Sequence, residues 1–246
     1  RLLLLKEMGC NAIRTAHHPM APEFYDLCDR IGLMVMDEVF DGWDQPKAEY
    51  DYGIYFNENW RQDLRDLLLR DRNHPCIILW SIGNEVEGIR TELTEALVDF
   101  VHEWEPPRPV TCGLDDITEE REANRKLLDI AGYNDGRAAC FIYDRDHQNH
   151  PERVMIGTET PHTFQTRGFY RTQTWWRDKD KPRKEIKNLT DEEIFFDGAL
   201  QYNSSYDNSG VRLCARDCWS ITRSLPYLTG EFRWTGFDYL GESFGW

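Results

Sequence analysis

The chain has 246 residues, of which 40% are hydrophobic and 13% aromatic, and its formal net charge is −15. This length suits one large domain, and the hydrophobic content argues against disorder. The acidic balance argues against nucleic-acid and anionic-membrane partners, because both attract a basic surface. No apolar run reaches membrane-spanning length. The seven cysteines include no CxxC pair, which disfavours a disulfide framework or a zinc cluster.

Short apolar segments alternate with helical patterns along the chain. Apolar residues three and four positions apart predict helices over residues 2–8, 22–31, 60–72 and 92–104. Seven strands are predicted near residues 10–16, 33–38, 77–85, 109–114, 129–135, 153–159 and 231–238. Such alternation indicates parallel strands joined by right-handed crossovers.

Polar or ionisable residues follow most of the predicted strands. The clearest cases are His17, Glu38, Glu85, Asn134 and Glu159. A (β/α)8 TIM barrel places its chemistry at the C-terminal ends of its strands, so this pattern predicts an α/β fold of that type. A doubly wound open sheet is the alternative, but the sequence has no glycine-rich phosphate loop to support it. Within these residues we expect the barrel to lack its first strand and its last helix.

We expect residues 1–246 to form a single barrel domain with a long insertion at about 162–229. This region is too long for a simple loop and helix. It contains a mixed-charge stretch at 177–187, which is typical of a solvated face. Within it we predict helices over residues 191–201 and 215–225.

Two strand ends resemble each other, at residues 82–85 and 156–159, and each ends in a glutamate. Glycoside hydrolysis uses one protonated and one ionised carboxyl group at one site. The cation of Arg14, at another strand end, is expected to keep Glu159 ionised, and a drier environment is expected to keep Glu85 neutral. The alternative is that both glutamates are buried structural partners of arginines.

Five segments, in chain order, carry a resemblance to a known family. They are LLKEMGCNAIRTAHHP (4–19), VMDE (35–38), NHPCIILWSIGNE (73–85), IGTET (156–160) and GEFRWTGFDYLGE (230–242). With these segments the sequence resembles the family 2 glycoside hydrolases, which include β-galactosidases and β-glucuronidases. The resemblance covers nearly the whole chain.

The resemblance implies a role for each matching residue. Glu85 corresponds to the acid/base, Glu159 to the nucleophile, and Asn84 to the residue that hydrogen-bonds the sugar 2-hydroxyl. In the sixth strand of the complete barrel, which is the predicted strand at 129–135 here, the family commonly has a tyrosine after the asparagine. This chain has Asp135 at that position. The resemblance also implies the substrate-binding residues, which we expect to be Arg14, His17, Asn84, Asn134 and Trp234. Tyr133 is added because it is the tyrosine next to Asn134.

The same comparison bears on metals, substrates and partners. Residues 39–43 lack the histidine that some β-galactosidases use for magnesium, so we expect no metal and no cofactor. The Asn-x-Lys pattern of glucuronidases is also not found at the predicted strand ends. We therefore expect a retaining exo-β-glycosidase acting on a carbohydrate, with β-galactosidase favoured over β-glucuronidase or another β-glycosidase of the family. In the full-length protein we expect N-terminal β-sandwich domains and consider a homo-oligomer.

Two rival hypotheses stay open at this point. One is a metal-dependent barrel hydrolase using His17, His18, Asp37 and Glu38, although adjacent strand residues point to opposite sides and do not easily chelate one ion. The other is a catalytically inactive sugar-binding relative, or an inactive fragment.

Overall fold

Seven parallel strands form one sheet in the order of the sequence. The structure is a computed structural model that describes residues 1–115, 118–134, 139–160 and 215–237. The strands are β1 (Ala12–Arg14), β2 (Met34–Glu38), β3 (Ile77–Asn84), β4 (Val110–Leu114), β5 (Ala131–Asn134), β6 (Met155–Thr160) and β7 (Leu228–Arg233). The helices are α1 (Leu2–Glu7), α2 (Pro22–Ile31), α3 (Phe56–Asp71), α4 (Thr91–Trp104), α5 (Glu119–Arg125), α6 (Ala139–Asn149) and α7 (Ala215–Ser224), with a 3-10 turn at Tyr52–Ile54.

The sheet curves into a nearly closed barrel. Met36 of β2, Leu79 of β3 and Ile156 of β6 pack together in one buried cluster. Because β4 and β5 separate β3 from β6 in the sheet, this contact requires the strands to curl round a common interior. The strand β1 also approaches β7. The predicted barrel fold is therefore confirmed, and its strand ends meet at one mouth.

A larger core lies between the sheet and the helices that follow its strands. The apolar stripe of α2 buries Tyr25 and Cys28, and that of α3 buries Leu64 and Leu68. Most of β3 is buried, including Trp80, as expected for a parallel strand covered on both faces. This packing fixes the strands from outside and so sets the positions of the residues at their ends.

The observed elements follow the predicted ones closely in the first half of the chain. The helix predicted over residues 22–31 is α2 with the same limits, whereas α3 begins at Phe56, four residues before its predicted start. The helices α5 and α6 were not predicted from the sequence, because α5 is short and polar and α6 has its apolar residues gathered at 139–143 and not spaced along one face. The seventh strand begins at Leu228, three residues earlier than predicted.

The predicted insertion at about 162–229 falls mainly outside the described residues. Its helix predicted over 191–201 lies there and stays a prediction, whereas the helix predicted over 215–225 corresponds to α7. In the described part of the chain, no helix combines the length and the apolar character needed to span a membrane.

Candidate active site

The two glutamates singled out in the sequence meet at the mouth of the barrel. Glu85 follows the last residue of β3, and Glu159 lies in β6 with Asn134 as its register partner on β5. The amide nitrogen Nδ2 of Asn134 lies 3.2 Å from Oε1 of Glu85 and 3.4 Å from Oε2 of Glu159. These two carboxyl oxygens are thus no farther apart than the sum of those distances, so both carboxyl groups face one point at the barrel mouth.

Glu85 has an environment that favours its protonated form. Burial is the main cause that raises the pKa of Glu85, and the negative charge of Glu159 adds to it. The charge of Asp115 acts in the same direction, while the hydrogen bond from Asn134 and the cation of Lys47 oppose the shift. A carboxyl group that keeps its proton at higher pH is suited to donate that proton to a leaving group.

Glu159 has a different environment, dominated by a cation. Its side chain is almost completely buried, and its Oε2 lies 2.8 Å from Nη1 of Arg14. The same Nη1 donates to the carbonyl oxygen of Thr158 at 3.2 Å, and Nε2 of His17 lies 3.8 Å from Oε2. A guanidinium at this distance favours the ionised carboxylate. The two glutamates therefore differ in the way that acid and nucleophile must differ.

Arg14 itself is held by a second carboxylate, Glu38 at the end of β2. Nε and Nη2 of Arg14 donate to Oε2 of Glu38 at 2.9 and 2.7 Å. Glu38 is fully buried and also accepts a hydrogen bond from Ser81 at 2.7 Å, while its Oε1 lies 2.7 Å from Nδ1 of His17. Arg14 also donates to Oδ1 of Asn84 at 2.8 Å. Glu38 thus orients two of the expected sugar-binding side chains.

The two asparagines are oriented by hydrogen bonds on both sides of their amides. Oδ1 of Asn84 accepts from Arg14 and, at 2.6 Å, from Nδ2 of Asn134. Nδ2 of Asn84 donates to Oδ1 of Asp41 at 3.0 Å. Oδ1 of Asn134 accepts from the hydroxyl of Thr158 at 2.6 Å. Each amide therefore has one defined orientation relative to the carboxylates.

The rings of His17 and Trp234 lie against each other beside this group. Their rings are stacked, with centroids 5.3 Å apart and planes 8° from parallel, and both residues are partly exposed. Partly exposed aromatic faces suit the apolar faces of sugar rings, and the polar groups of Arg14, Asn84 and Asn134 lie alongside. Seven of the eight expected site residues thus come together: Arg14, His17, Asn84, Glu85, Asn134, Glu159 and Trp234.

Tyr133 is the exception, because the structure does not bring it to this group. Its side chain is fully buried, its hydroxyl donates to Asp146, and the guanidinium of Arg125 lies over its ring. Side chains alternate between the two faces of a strand. With Asn134 directed into the barrel mouth, Tyr133 is directed toward α5 and α6. We therefore leave Tyr133 out of the proposed sugar site.

The residues of the rival metal hypothesis are not assembled round one point. Asp37 hydrogen-bonds Tyr25 and Thr15 in the wall of the barrel, and Nδ1 of the exposed His18 lies 3.2 Å from the carbonyl oxygen of Pro19. This arrangement does not support the hypothesis.

Another cluster of possible ligands occurs among the described residues, at Glu122, Asp146 and His150. Both of its carboxylates are ion-paired with Arg153, that of Asp146 at 2.8 Å. The guanidinium of Arg153 already occupies both carboxylates, so this donor set does not call for a metal ion.

An open cleft of about 410 Å³ borders Glu85. With the exception of one proline, the residues that line it are polar or charged: Gln45, Pro46, Lys47, Glu85, Glu87 and Asp115. The cleft therefore offers a space next to the Glu85 carboxyl group that suits a hydroxyl-rich molecule.

Three residues support this site in roles that were not predicted from the sequence. Glu38 was predicted as a strand-end residue and considered as a metal ligand, but not as a partner of Arg14 and His17. Asp41 and Lys47 lie in the loop after β2, and Lys47 approaches the end of β3 across 37 residues of sequence. No local pattern marks such a contact.

Residues 1–182 match the family model described as "Glycosyl hydrolases family 2, TIM barrel domain". The chain belongs to glycosyl hydrolase family 2. This match confirms the family expected from the five sequence segments, and the matched part contains both glutamates.

Two curated family 2 relatives cover essentially the whole chain. A protein of Formosa agariphila with a provisional beta-glucuronidase name is 44% identical over 99% of this chain. Beta-galactosidase BoGH2A of Bacteroides ovatus is 35% identical over 100% of it. The crystal structure of a beta-glycosidase from Bacteroides vulgatus covers 98% of the chain at 48% identity, with a TM-score of 0.77. The chain spans 23%, 32% and 31% of these three proteins, respectively.

Proposed function

We propose that this chain is the catalytic domain of a retaining exo-β-glycosidase. In the first step, the Glu159 carboxylate attacks the anomeric carbon of a terminal β-linked sugar while Glu85 donates its proton to the departing oxygen. In the second step, Glu85 accepts a proton from a water molecule that attacks the glycosyl-enzyme and releases the sugar. The single observation that carries this proposal is the contact of both carboxyl groups with one amide nitrogen, that of Asn134.

The electrostatics support this division of roles. Glu159 is paired with Arg14, which keeps a negative charge available for attack on carbon. The raised pKa of Glu85, caused mainly by burial, keeps its proton available for the leaving oxygen. Once Glu159 is esterified its negative charge is lost, so one cause of the raised pKa disappears. The pKa of Glu85 then falls, so more of Glu85 is ionised and able to accept the proton of the attacking water in the second step.

We propose a β-galactoside as the substrate and keep a β-glucuronide as the alternative. Arg14 is paired with Glu159 and Lys47 lines the cleft beside Glu85, and both cations donate to protein acceptors. Neither is directed to a sugar carboxylate, which favours a neutral sugar. The names of the relatives support both substrates, since one is named a beta-galactosidase and the other a beta-glucuronidase.

The substrate is tested with a panel of 4-nitrophenyl β-glycosides and the full-length protein. We expect the highest kcat/KM on the β-galactoside and loss of activity in the Glu159→Gln variant. The highest kcat/KM on the β-glucuronide would establish the alternative substrate. If the folded wild-type protein binds sugars but hydrolyses none of the panel, it is a non-catalytic sugar-binding relative.

The mechanism is tested with a 2-deoxy-2-fluoro glycoside that carries a good leaving group. The fluorine slows both steps, so a nucleophilic carboxylate accumulates as its glycosyl ester. We expect mass spectrometry of the digested protein to locate the adduct on Glu159. An adduct on another residue, or a first-formed product with the opposite anomeric configuration, would contradict the proposal.

A further inference from the structure

The loop after β2 holds the end of β3 from the side. This segment, residues 41–47, is called the clamp loop below. The backbone nitrogen of Asn84 donates to the carbonyl oxygen of Asp41 at 3.1 Å, and Nε1 of Trp43 donates to the carbonyl oxygen of Ile82 at 2.8 Å. Nδ2 of Asn84 donates to Oδ1 of Asp41, and Nζ of Lys47 donates to the carbonyl oxygen of Asn84 at 2.8 Å. The clamp loop thus binds both the main chain and the side chain of Asn84.

Lys47 uses its ammonium group entirely within this contact. Besides the Asn84 carbonyl oxygen, it donates to Oδ1 of Asp41 at 2.8 Å and to the carbonyl oxygen of Asp41 at 3.3 Å. An ammonium has three donors, and three protein acceptors surround this one. Lys47 lines the cleft beside Glu85, but its hydrogen bonds are directed at the protein and not at a ligand.

The peptide unit between Asn84 and Glu85 is held on both of its polar sides. Its carbonyl oxygen accepts from Lys47, and its N–H group, which belongs to Glu85, donates to the carbonyl oxygen of Gly113 at 2.7 Å. Glu85 adopts a left-handed backbone conformation, with φ at 42°. This conformation costs a residue with a side chain roughly 1–2 kcal/mol and persists only where the surroundings fix it. The two hydrogen bonds on this peptide supply that fixation.

Lys47 is itself placed by a turn built round Asp51. The carboxylate of Asp51 accepts from the backbone nitrogen of Lys47 at 2.6 Å and from that of Gly53 at 2.6 Å. A Cβ atom at Gly53 would come within 2.7 Å of the carbonyl oxygen of Trp43. The close approach that this glycine permits brings the turn against the clamp loop and fixes the base of the Lys47 side chain.

We infer that Lys47 is a positioning residue for Glu85, which holds the Asn84–Glu85 peptide in the orientation that directs the Glu85 carboxyl group to the leaving oxygen. This inference rests on the proposed glycosidase function. It assigns Lys47 an effect on proton donation and not on the attack by Glu159, and these two effects are separable by the choice of leaving group.

The charges round Glu85 give a second, independent readout. Glu159 on β6 and Asp115 after β4 raise the pKa of Glu85, in addition to the main effect of burial, whereas Lys47 in the clamp loop lowers it. Loss of the ammonium therefore raises this pKa further. Since Glu85 must be protonated in the first step, the basic limb of the kcat/KM profile then moves to higher pH.

The experiment compares Lys47→Met, Lys47→Arg and the wild type in the full-length protein, on dinitrophenyl and alkyl glycosides of the preferred sugar. A basic alkoxide leaving group depends on protonation, whereas dinitrophenolate departs without it. We expect Lys47→Met to lower kcat/KM about tenfold or more for the alkyl glycoside, as part of the 10²–10⁴-fold effect of general acid catalysis. The dinitrophenyl glycoside is expected to lose less than about threefold, and Lys47→Arg to restore both activity and pH profile.

Lys126→Met is the matched control, because it removes an exposed lysine at the end of α5. We expect it to leave both substrates and the pH profile unchanged. An equal loss on both substrates in Lys47→Met, or no change, would overturn the inference, since a purely structural role lowers the folded fraction for all substrates alike. Should Lys47→Met fail to fold by circular dichroism, Lys47→Gln decides by the same criteria. A wild-type protein inactive on every glycoside would instead overturn the proposed function, and this inference with it.

Discussion

Arg14 and Glu159 form an ion pair that is almost completely closed to solvent, with Nη1 of the arginine 2.8 Å from Oε2 of the glutamate and side-chain exposures of 4% and 6%. The pair joins β1 to β6, the first strand of the sheet to the sixth. Because the same guanidinium also neutralises the buried Glu38, one cation serves two carboxylates. The proposed nucleophile and the barrel structure therefore depend on the same residue.

Replacing Arg14 with methionine is expected to lower both stability and activity. The change leaves two buried carboxylates without their cation, and breaking a buried pair from one side costs about 3–5 kcal/mol. Urea denaturation followed by tryptophan fluorescence measures the free energy of unfolding, and kcat/KM on an aryl glycoside measures the activity. Arg14→Lys, which keeps the charge but not the forked donors, is expected to be intermediate in both. Wild-type stability in Arg14→Met would contradict the assigned role.

Asp115→Asn is expected to shift the pH dependence in the opposite direction from Lys47→Met. The charge of Asp115 is among the causes that raise the pKa of Glu85, so its removal lowers that pKa. The basic limb of the kcat/KM profile should therefore move to lower pH. We expect a small shift, because Asp115 is 38% exposed and already paired with Arg121 at 3.1 Å. A shift to higher pH would show that Glu85 does not control this limb.

Asp37→Asn is expected to change how stability depends on pH. Burial raises the pKa of Asp37 to about 7, and the charge of Asp71 adds to this, from an ordinary value of 3.8. The folded state therefore holds the proton more tightly than the unfolded state, so this stabilisation is complete below about pH 4 and is lost as the pH rises through about 7. An asparagine cannot ionise and does not show this loss.

The measurement is the difference in free energy of unfolding between Asp37→Asn and the wild type from pH 4 to pH 8. We expect the difference to move in favour of the variant by up to about 4 kcal/mol, at about 1.4 kcal/mol per pH unit. Oδ1 of the new amide can still accept from Tyr25 and Thr15. Any further change that the substitution makes to the free energy of unfolding is therefore the same at every pH. A difference that stays constant across this range would contradict the assigned pKa.

Tyr133→Phe is expected to reduce stability without reducing activity. The change removes the hydroxyl that donates to Asp146 and leaves a buried carboxylate with one donor fewer, which costs about 1–3 kcal/mol. The kcat/KM of the folded variant on the preferred aryl glycoside should equal that of the wild type. A loss of about tenfold or more at unchanged stability would return Tyr133 to the sugar site.

The sequence was informative about the ends of the strands, where the candidate site lies. Glu85 and Glu159 follow buried segments of strand length, and parallel strands in a barrel bring such ends to one mouth. His17, Asn84 and Asn134 were found in the same way. Acid and nucleophile were assigned by the family resemblance, and the environments of Glu85 and Glu159 are consistent with that assignment.

Three features escaped sequence reasoning for physical reasons. Tyr133 and Asn134 are neighbours in the chain, but alternation along β5 directs them to opposite faces, and only packing decides which face meets the site. Apolar periodicity does not mark α5, which is short and polar, or α6, whose apolar residues are gathered at 139–143 and followed by six polar residues. The contact of Lys47 with the Asn84 carbonyl oxygen joins a loop to a strand that is distant in sequence.

The amino-acid sequence by itself determined the parallel barrel and the strand-end positions of the two glutamates, because apolar periodicity and strand-end chemistry are local properties of the chain. The resemblance of five sequence segments indicated the family. Only the tertiary structure decided that Arg14 is shared between Glu38 and Glu159, that Tyr133 is directed away from the mouth, and that Lys47 holds the peptide of Glu85. Each of these depends on which side chains meet after the strands have curled together, and on burial, which strengthens the interaction between their charged and polar groups.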